Sequence, residues 1–165
     1  MSIPSKKQQT LVLVSSLLIC YLVAFIGATA SINAKSFYSE LSRPGWSPPG
    51  WLFGPVWFCL YSMMAIAAWL VWTQEGFRAH QNKLLLYLVH LIPNALWSWL
   101  FFHWHLGAIS FLVIILLWTM ILITVLMFWK VKPIAGILLL PYLVWVTFAT
   151  ALNLALWQMN PGLLS

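Results

Sequence analysis

The chain has 165 residues, of which 63% are hydrophobic and only 6% are charged, and its mean hydropathy is +0.94. A soluble domain is roughly half apolar and about a quarter charged, so this composition excludes a water-soluble globule. The same apolar excess excludes a disordered chain. The length suits one domain, and the composition predicts that most of it lies in a lipid bilayer.

Four uncharged stretches separate the charged residues, and their lengths predict how often the chain crosses a membrane. They cover residues 8–34, 44–74, 84–129 and 133–165. A spanning helix needs about 20 apolar residues, so the first, second and fourth stretches each hold one. The third would be about 69 Å long as a single helix, more than twice the hydrocarbon thickness. It must therefore turn back at its polar interruption, residues 103–107.

These stretches predict an all-α integral membrane protein, a single domain over residues 1–165 built as a bundle of five transmembrane helices. The helices are expected near residues 10–30, 49–73, 83–102, 107–129 and 134–158. The first apolar stretch exceeds the usual core of a cleaved signal peptide, so we expect it to remain as the first helix.

The distribution of basic residues predicts the orientation of the bundle. Five spans place the two termini on opposite sides of the membrane. Six basic residues fall on the N-terminal side and two on the other: Lys6, Lys7, Arg78, Lys83, Lys130 and Lys132 against Lys35 and Arg43. Basic residues near helix ends favour the cytoplasm, so we predict a cytoplasmic N-terminus. This asymmetry accounts for the net charge of +6 and requires no nucleic-acid partner.

Acidic residues are scarce, which excludes several kinds of chemistry. The two that exist, Glu40 and Glu75, lie in predicted loops, so no carboxylate lies at membrane depth to carry a proton. The sequence has no phosphate-binding Gly-Lys-Ser/Thr loop and no acid that could complete a Ser-His or Cys-His triad. His103 and His105 have no nearby Cys or carboxylate, so we predict no metal site and no required cofactor. His90 lies inside a span, where a lone neutral histidine is expected to hydrogen-bond to a neighbouring helix.

Tryptophan is unusually frequent, with 12 in the chain, and position divides the residues into two groups. One group lies near predicted helix ends and suits the aromatic belt at the headgroup level: Trp69, Trp72, Trp99, Trp104, Trp129 and Trp157. The second group lies deeper, where each indole N–H needs an acceptor: Trp57, Trp97, Trp118 and Trp145.

Two helices alternate large rings with small residues along one face. Residues at helical spacing on the second are Gly54, Trp57, Tyr61, Ala65, Ala68 and Trp72, and on the fifth they are Trp145, Ala149, Leu152 and Leu156. Small residues beside rings indicate either close packing between helices or a slot for a planar apolar ligand. Spacing alone favours packing.

Prolines and amides are the other features expected to shape the bundle. Pro55, Pro93 and Pro141 fall inside predicted spans, where each tends to kink the helix. Asn94 and Asn153 can satisfy the carbonyls that a kink releases, although hydrogen bonds between helices are the simpler expectation for both.

Three blocks of the sequence resemble the translocator protein family (TspO/MBR), which includes the tryptophan-rich sensory proteins and the peripheral-type benzodiazepine receptors. Residues 43–64, RPGWSPPGWLFGPVWFCLYSMM, are similar to the family's signature. Residues 94–102, NALWSWLFF, resemble its third-helix motif, and residues 141–153, PYLVWVTFATALN, its fifth. The order, the spacing and the five-helix layout agree over nearly the whole chain.

The resemblance implies a pocket that binds tetrapyrroles, such as protoporphyrin IX and haem, and other flat hydrophobic ligands. It implies a membrane-embedded binding protein that acts as a translocator or stress sensor. The implied ligand-binding positions in this chain are Trp46, Trp51, Phe53, Val56, Trp57, Tyr61, Asn94, Trp97, Trp145, Ala149 and Leu152. Trp57 and Trp145 match the indole pair that flanks the ligand, so the resemblance favours a slot over packing for the two faces.

The same resemblance leaves alternatives open. Residues 31–47 would form a lid over the pocket, with Lys35 and Arg43 placed to meet porphyrin propionates. The alternative function is an enzyme that degrades porphyrin in light, with Trp57 and Trp145 as electron donors, and a third is a membrane partner without a ligand. A homodimer in a bacterial cytoplasmic (inner) membrane is also implied. The Tyr and Arg of the vertebrate sterol motif are missing from residues 152–158, so that motif is not carried over.

Overall fold

The described part of the chain is almost entirely helical. A computed structural model of the protein describes residues 4–32 and 34–165, and no strand occurs in these two ranges. Five helices are long and apolar enough to cross a membrane, which confirms the prediction of five spans. Together with a short second helix they are α1 (Lys6–Ala30), α2 (Ala34–Glu40), α3 (Phe53–Ala79), α4 (Gln81–Ser98), α5 (Gly107–Val131) and α6 (Pro133–Met159).

Three irregular segments modify the predicted spans. A 3-10 turn, Gly50–Leu52, leads into α3, and a π-helical turn, Trp99–His103, extends α4. Near its C-terminal end α3 breaks at Glu75 and Gly76, where Gly76 has φ of 79°. Only glycine adopts that conformation without strain. The break lies where charged residues end the second predicted span.

The helix ends explain most of these boundaries. Ser5 and Gln8 form a capping box that starts α1, and Pro133 occupies the first turn of α6, where its missing N–H is harmless. Pro55 likewise lies in the first turn of α3, so the expected kink there is wrong because no helical hydrogen bond is lost. Pro93 and Pro141 do lie inside their helices.

The five spanning helices form a closed ring in the order α1, α3, α6, α5, α4. The contact between α5 and α6 is the most extensive, and α1 is the least buried helix of the five. Polar side chains of α1 contact its two neighbours in the ring. Ser16 Oγ donates to the Ala65 carbonyl of α3 at 3.0 Å, and Cys20 Sγ lies 3.0 Å from the Tyr87 hydroxyl of α4. Chain connectivity places the residue 31–47 segment, hereafter the lid segment, at the end of the bundle opposite the N-terminus. We call this the lid end.

Gly136 tests the close approach of α5 and α6. A Cβ atom at this position would lie 2.8 Å from Cε3 and 3.0 Å from Cα of Trp129, distances that require the helices to move apart. We expect Gly136→Ala to lower the free energy of unfolding by about 1–3 kcal/mol. Gly54→Ala, which has open space around it, should cause no such loss. Thermal unfolding of the detergent-solubilised variants measures both, and equal stability would contradict the packing.

Candidate functional site

A narrow cavity lies at the lid end, where the lid segment meets α3, α4 and α6. The space inside it that a water molecule can occupy is only about 10 Å³. Aromatic and aliphatic side chains provide nearly all of the lining: Tyr38, Phe53, Trp97, Phe101, Phe102, Ala149, Leu152, Asn153 and Leu156. Sites for small ligands usually measure about 300–1,000 Å³, so this cavity is far below that range and its walls nearly meet.

The face of α6 that sequence spacing singled out forms one wall. Ala149, Leu152 and Leu156 are all buried and all line the cavity. The α6 face therefore borders the cavity, and side chains fill nearly all of the slot that the resemblance implies.

A hydrogen bond to Asn153 fixes the ring that forms the opposite wall. Trp97 Nε1 donates to Asn153 Oδ1 at 2.9 Å, and Asn153 Nδ2 donates to the Gly107 carbonyl at 3.3 Å. The prediction that deep indoles need acceptors is confirmed here and at Trp118, whose Nε1 donates to Thr147 Oγ1 at 2.7 Å. The amide of Asn153 thus links α4, α5 and α6 at the cavity.

The two indoles expected to flank a ligand pack against other aromatic rings. Trp145 packs edge-to-face on Phe53, with ring centroids 5.8 Å apart, and Trp57 packs on Tyr61 at 5.6 Å and Tyr142 at 6.2 Å. The described side chains that line the cavity include Phe53 but neither of these indoles. Trp145 Nε1 is buried and has no hydrogen-bond partner among the described residues, so the prediction that this deep indole finds an acceptor is wrong.

Asn94 and Tyr61 join helices below the cavity. The Tyr61 hydroxyl donates to Asn94 Oδ1, and Asn94 Nδ2 donates to the Tyr142 hydroxyl at 2.6 Å. All three side chains are buried, and they belong to α3, α4 and α6. Further along α3, Ala65 is fully buried against α1. This part of the α3 face therefore packs against neighbouring helices, as the packing interpretation predicted. The α3 residue that lines the cavity is Phe53, at the beginning of the helix.

Three further predicted ligand-binding residues, Trp46, Trp51 and Val56, do not line the cavity. Trp46 is 52% exposed, and its ring centroid lies 5.7 Å from that of Phe148, whereas Trp51 is 72% exposed. Val56 is partly buried and packs against the core.

The lid segment covers the cavity with Tyr38. The Tyr38 ring packs edge-to-face on Phe53 with centroids 5.8 Å apart, and its hydroxyl donates to the Pro48 carbonyl at 3.1 Å. The Arg43 guanidinium lies 4.8 Å from the centre of the same ring and is exposed to solvent. The side chain of Lys35, the other predicted propionate partner, lies outside the described part of the chain.

The histidines depart from expectation in one case. His90 is 1% exposed, and neither ring nitrogen has a hydrogen-bond partner among the described residues. Its predicted bond to a neighbouring helix is therefore wrong, because the ring packs between Tyr87 and Tyr142 instead. His105 has φ of 55° and stacks on Phe37 of the lid segment at 4.0 Å. Within the described ranges no three His, Cys, Asp or Glu side chains cluster as a metal site.

Comparison with known proteins identifies the family. Residues 16–158 match the TspO/MBR family. The chain belongs to that family. It is 38% identical to protein CrtK of Rhodobacter capsulatus, over 84% of this chain and 88% of that one. It is 37% identical to the tryptophan-rich protein TspO of Chlorobaculum tepidum (93% and 99%) and 36% identical to the translocator protein of Ovis aries (84% and 83%).

Some cavity residues of this TspO/MBR protein were not predicted as ligand-binding. They are Tyr38, Phe101, Phe102, Asn153 and Leu156. Helical spacing did place Leu156 on the same α6 face as Ala149 and Leu152, although it is not among the ligand-binding positions that the resemblance implies. Phe101 and Phe102 lie on the π-helical turn, which changes which side chains face inward, so regular spacing does not indicate them. Tyr38 was expected in a loop but lies in α2 and is buried, and nothing in the local sequence indicates its burial.

Asn94 should stabilise this family member rather than contact a ligand directly. Asn94→Leu leaves the buried hydroxyls of Tyr61 and Tyr142 without this partner, so we expect the free energy of unfolding to fall by about 1–3 kcal/mol. Tyr61→Phe keeps the bond between Asn94 and Tyr142 and should cost less. Thermal unfolding measures both. Unchanged stability in Asn94→Leu, with weaker ligand binding, would instead make Asn94 part of the binding surface.

Proposed function

We propose that this protein binds flat hydrophobic ligands, foremost tetrapyrroles such as protoporphyrin IX and haem, at the lid end, and that it acts as a translocator or stress sensor for them. The observation that carries the proposal is the cavity walled by aromatic rings and covered by a segment that does not cross the membrane. Two relatives carry the names "tryptophan-rich sensory protein" and "translocator protein", which agree with these roles.

The size of the cavity favours a closed state of such a site. With only about 10 Å³ open to a water molecule, it is far too small for a macrocycle, so binding requires its walls to separate. Tyr38 is the wall contributed by the lid segment, and it can move without displacing a spanning helix. Phe53 lies between Tyr38 and Trp145, contacting both rings. Movement of Tyr38 and Phe53 together would bring Trp145 to the surface of the enlarged site.

The chemistry around the cavity suits a flat ligand with polar groups at its edge. Aromatic faces provide broad apolar contact with a planar ring system. The unpaired Trp145 N–H can donate to a ligand acceptor, which removes the penalty of burying it alone. At the mouth, the exposed Arg43 guanidinium can form a charge-assisted hydrogen bond with a carboxylate.

The orientation proposed from charge places the cavity outside the cytoplasm. In a bacterial cytoplasmic (inner) membrane, the six basic residues of the N-terminal side face the cytoplasm. The lid end then faces the opposite side, so ligands enter and leave from there or from the adjoining leaflet.

Titration with two forms of one macrocycle tests the binding proposal. We expect protoporphyrin IX, added in darkness to purified protein, to quench tryptophan fluorescence saturably. Charge reversal with Lys35→Glu and Arg43→Glu should weaken that binding about tenfold, since it replaces attraction of the propionates by repulsion. The uncharged dimethyl ester should bind wild type and variant alike. Lys130→Glu, at the other end of the bundle, is the matched control and should change neither affinity.

Two results would oppose this proposal in different ways. Absence of saturable binding by the wild type would overturn the tetrapyrrole function itself. An equal loss of affinity for protoporphyrin IX and its dimethyl ester would show that the basic residues of the lid segment do not recognise the propionates.

A second candidate function is light-dependent degradation of porphyrin. The observation that favours it is the contact of Trp57 with Tyr61 and Tyr142, because phenol rings can return an electron to an oxidised indole. In the electron-transfer step an excited porphyrin takes one electron from Trp57 or Trp145, which gives a porphyrin radical anion and an indole radical cation, and opening of the macrocycle then requires dissolved dioxygen as the oxidant.

Illumination separates the two functions. If the protein degrades porphyrin, the absorbance of bound protoporphyrin IX should bleach in light and stay constant in darkness. Trp57→Phe with Trp145→Phe should abolish bleaching above the rate for free porphyrin while leaving dark binding within about threefold, since each phenyl ring retains apolar contact. Bleaching at the wild-type rate in the double variant would exclude these indoles as electron donors.

A further inference from the structure

We propose that Asn160, immediately after α6, is a positioning residue that clasps the lid segment and sets the rate of ligand exchange. This inference rests on the proposed binding function. It concerns a residue that does not line the cavity and acts through the lid segment.

The side chain of Asn160 is paired with the backbone of the lid segment on both of its polar atoms. Its Oδ1 accepts the Ser42 N–H at 2.8 Å, and its Nδ2 donates to the Ser42 carbonyl at 2.9 Å. The same Nδ2 donates to the Leu156 carbonyl at 2.8 Å. Both donor hydrogens and the oxygen are therefore used, and the residue is only 6% exposed. An amide in this arrangement holds a backbone segment whatever side chain that segment carries.

The C-terminal tail fixes Asn160 in place. Its carbonyl accepts the N–H groups of Leu163 at 3.1 Å and Leu164 at 3.0 Å. Leu164 is fully buried and lies against Gly107, at the beginning of α5. The pair of hydrogen bonds between Asn160 and Ser42 is hereafter the clasp. The C-terminal tail attaches the clasp to α5, and Asn160 directly follows α6, so the clasp holds the lid segment at a fixed point.

The clasp connects directly to the cavity at two places. Ser42 lies just after α2, the short helix that carries Tyr38, the cavity wall contributed by the lid segment. Leu156, whose carbonyl accepts from Asn160, lines the cavity on α6. When the Ser42 bonds break, Tyr38 loses the restraint on one side while the α6 wall stays in place.

A clasp and a cavity wall have different kinetic signatures. A side chain that touches the ligand changes the dissociation rate and therefore the affinity. A clasp that closes the lid segment over both the empty and the occupied cavity stabilises the two states equally. Its loss should therefore raise the association and dissociation rates together and leave Kd nearly unchanged.

The test measures both rates by stopped-flow quenching of tryptophan fluorescence with protoporphyrin IX in darkness. In Asn160→Ala we expect association and dissociation each to accelerate about fivefold or more, from the loss of two net hydrogen bonds to Ser42. Kd should change by less than about twofold. Gln158→Ala is the matched control, since Gln158 is exposed two residues earlier and should leave both rates unchanged.

A disulfide in place of the clasp tests the opposite change, in which the lid segment is held closed. This test does not depend on the stability of Asn160→Ala. Ser42→Cys with Asn160→Cys, in a Cys59→Ser background that removes the exposed thiol, should form a disulfide. Oxidised protein should exchange ligand at least about tenfold more slowly than reduced protein. Wild-type rates in Asn160→Ala, or equal rates in the oxidised and reduced forms, would overturn the clasp. Failure of the wild type to bind any macrocycle would overturn the proposed function instead.

Discussion

The absence of water from the hydrocarbon core imposes one constraint on this bundle: polar groups buried there need partners within the protein. Three amides meet it at successive levels. Asn94 joins α3, α4 and α6 in the interior, Asn153 joins α4, α5 and α6 at the cavity, and Asn160 joins α6 to the lid segment. Each amide links segments far apart in sequence, so the ring of helices and the cavity depend on the same few hydrogen bonds.

Two buried side chains in the spanning helices do not meet this constraint. Trp145 and His90 have buried ring nitrogens without partners among the described residues. Trp145 contacts Phe53, which lines the cavity, so a ligand can supply the acceptor that the protein does not. His90 lies among tyrosines in the interior, and the proposed function leaves its two nitrogens without a role.

The lid segment obeys a different constraint from the spanning helices. The spans cannot leave the bilayer without exposing apolar surface and backbone, whereas the lid segment is held by specific contacts such as the Ser42–Asn160 pair and the stack of Phe37 on His105. Such contacts can break individually without unfolding a span. A site covered in this way can open while the bundle that supports it stays intact.

The sequence alone determined the five spans and their approximate ends. A run of apolar residues partitions into the bilayer and its flanking charges stay in water, and both properties are local to each segment. Three motifs, over residues 43–64, 94–102 and 141–153, also indicated the family, and helical spacing placed Ala149 and Leu152 on one face of α6 while favouring packing over a pocket. The tertiary structure decided which side chains pack against the predicted helix faces. Phe53 separates Trp145 from the cavity, the π-helical turn brings Phe101 inward, and Asn160 meets Ser42. Spacing fixes which residues share a helix face, but the neighbour that meets that face depends on how separate segments pack.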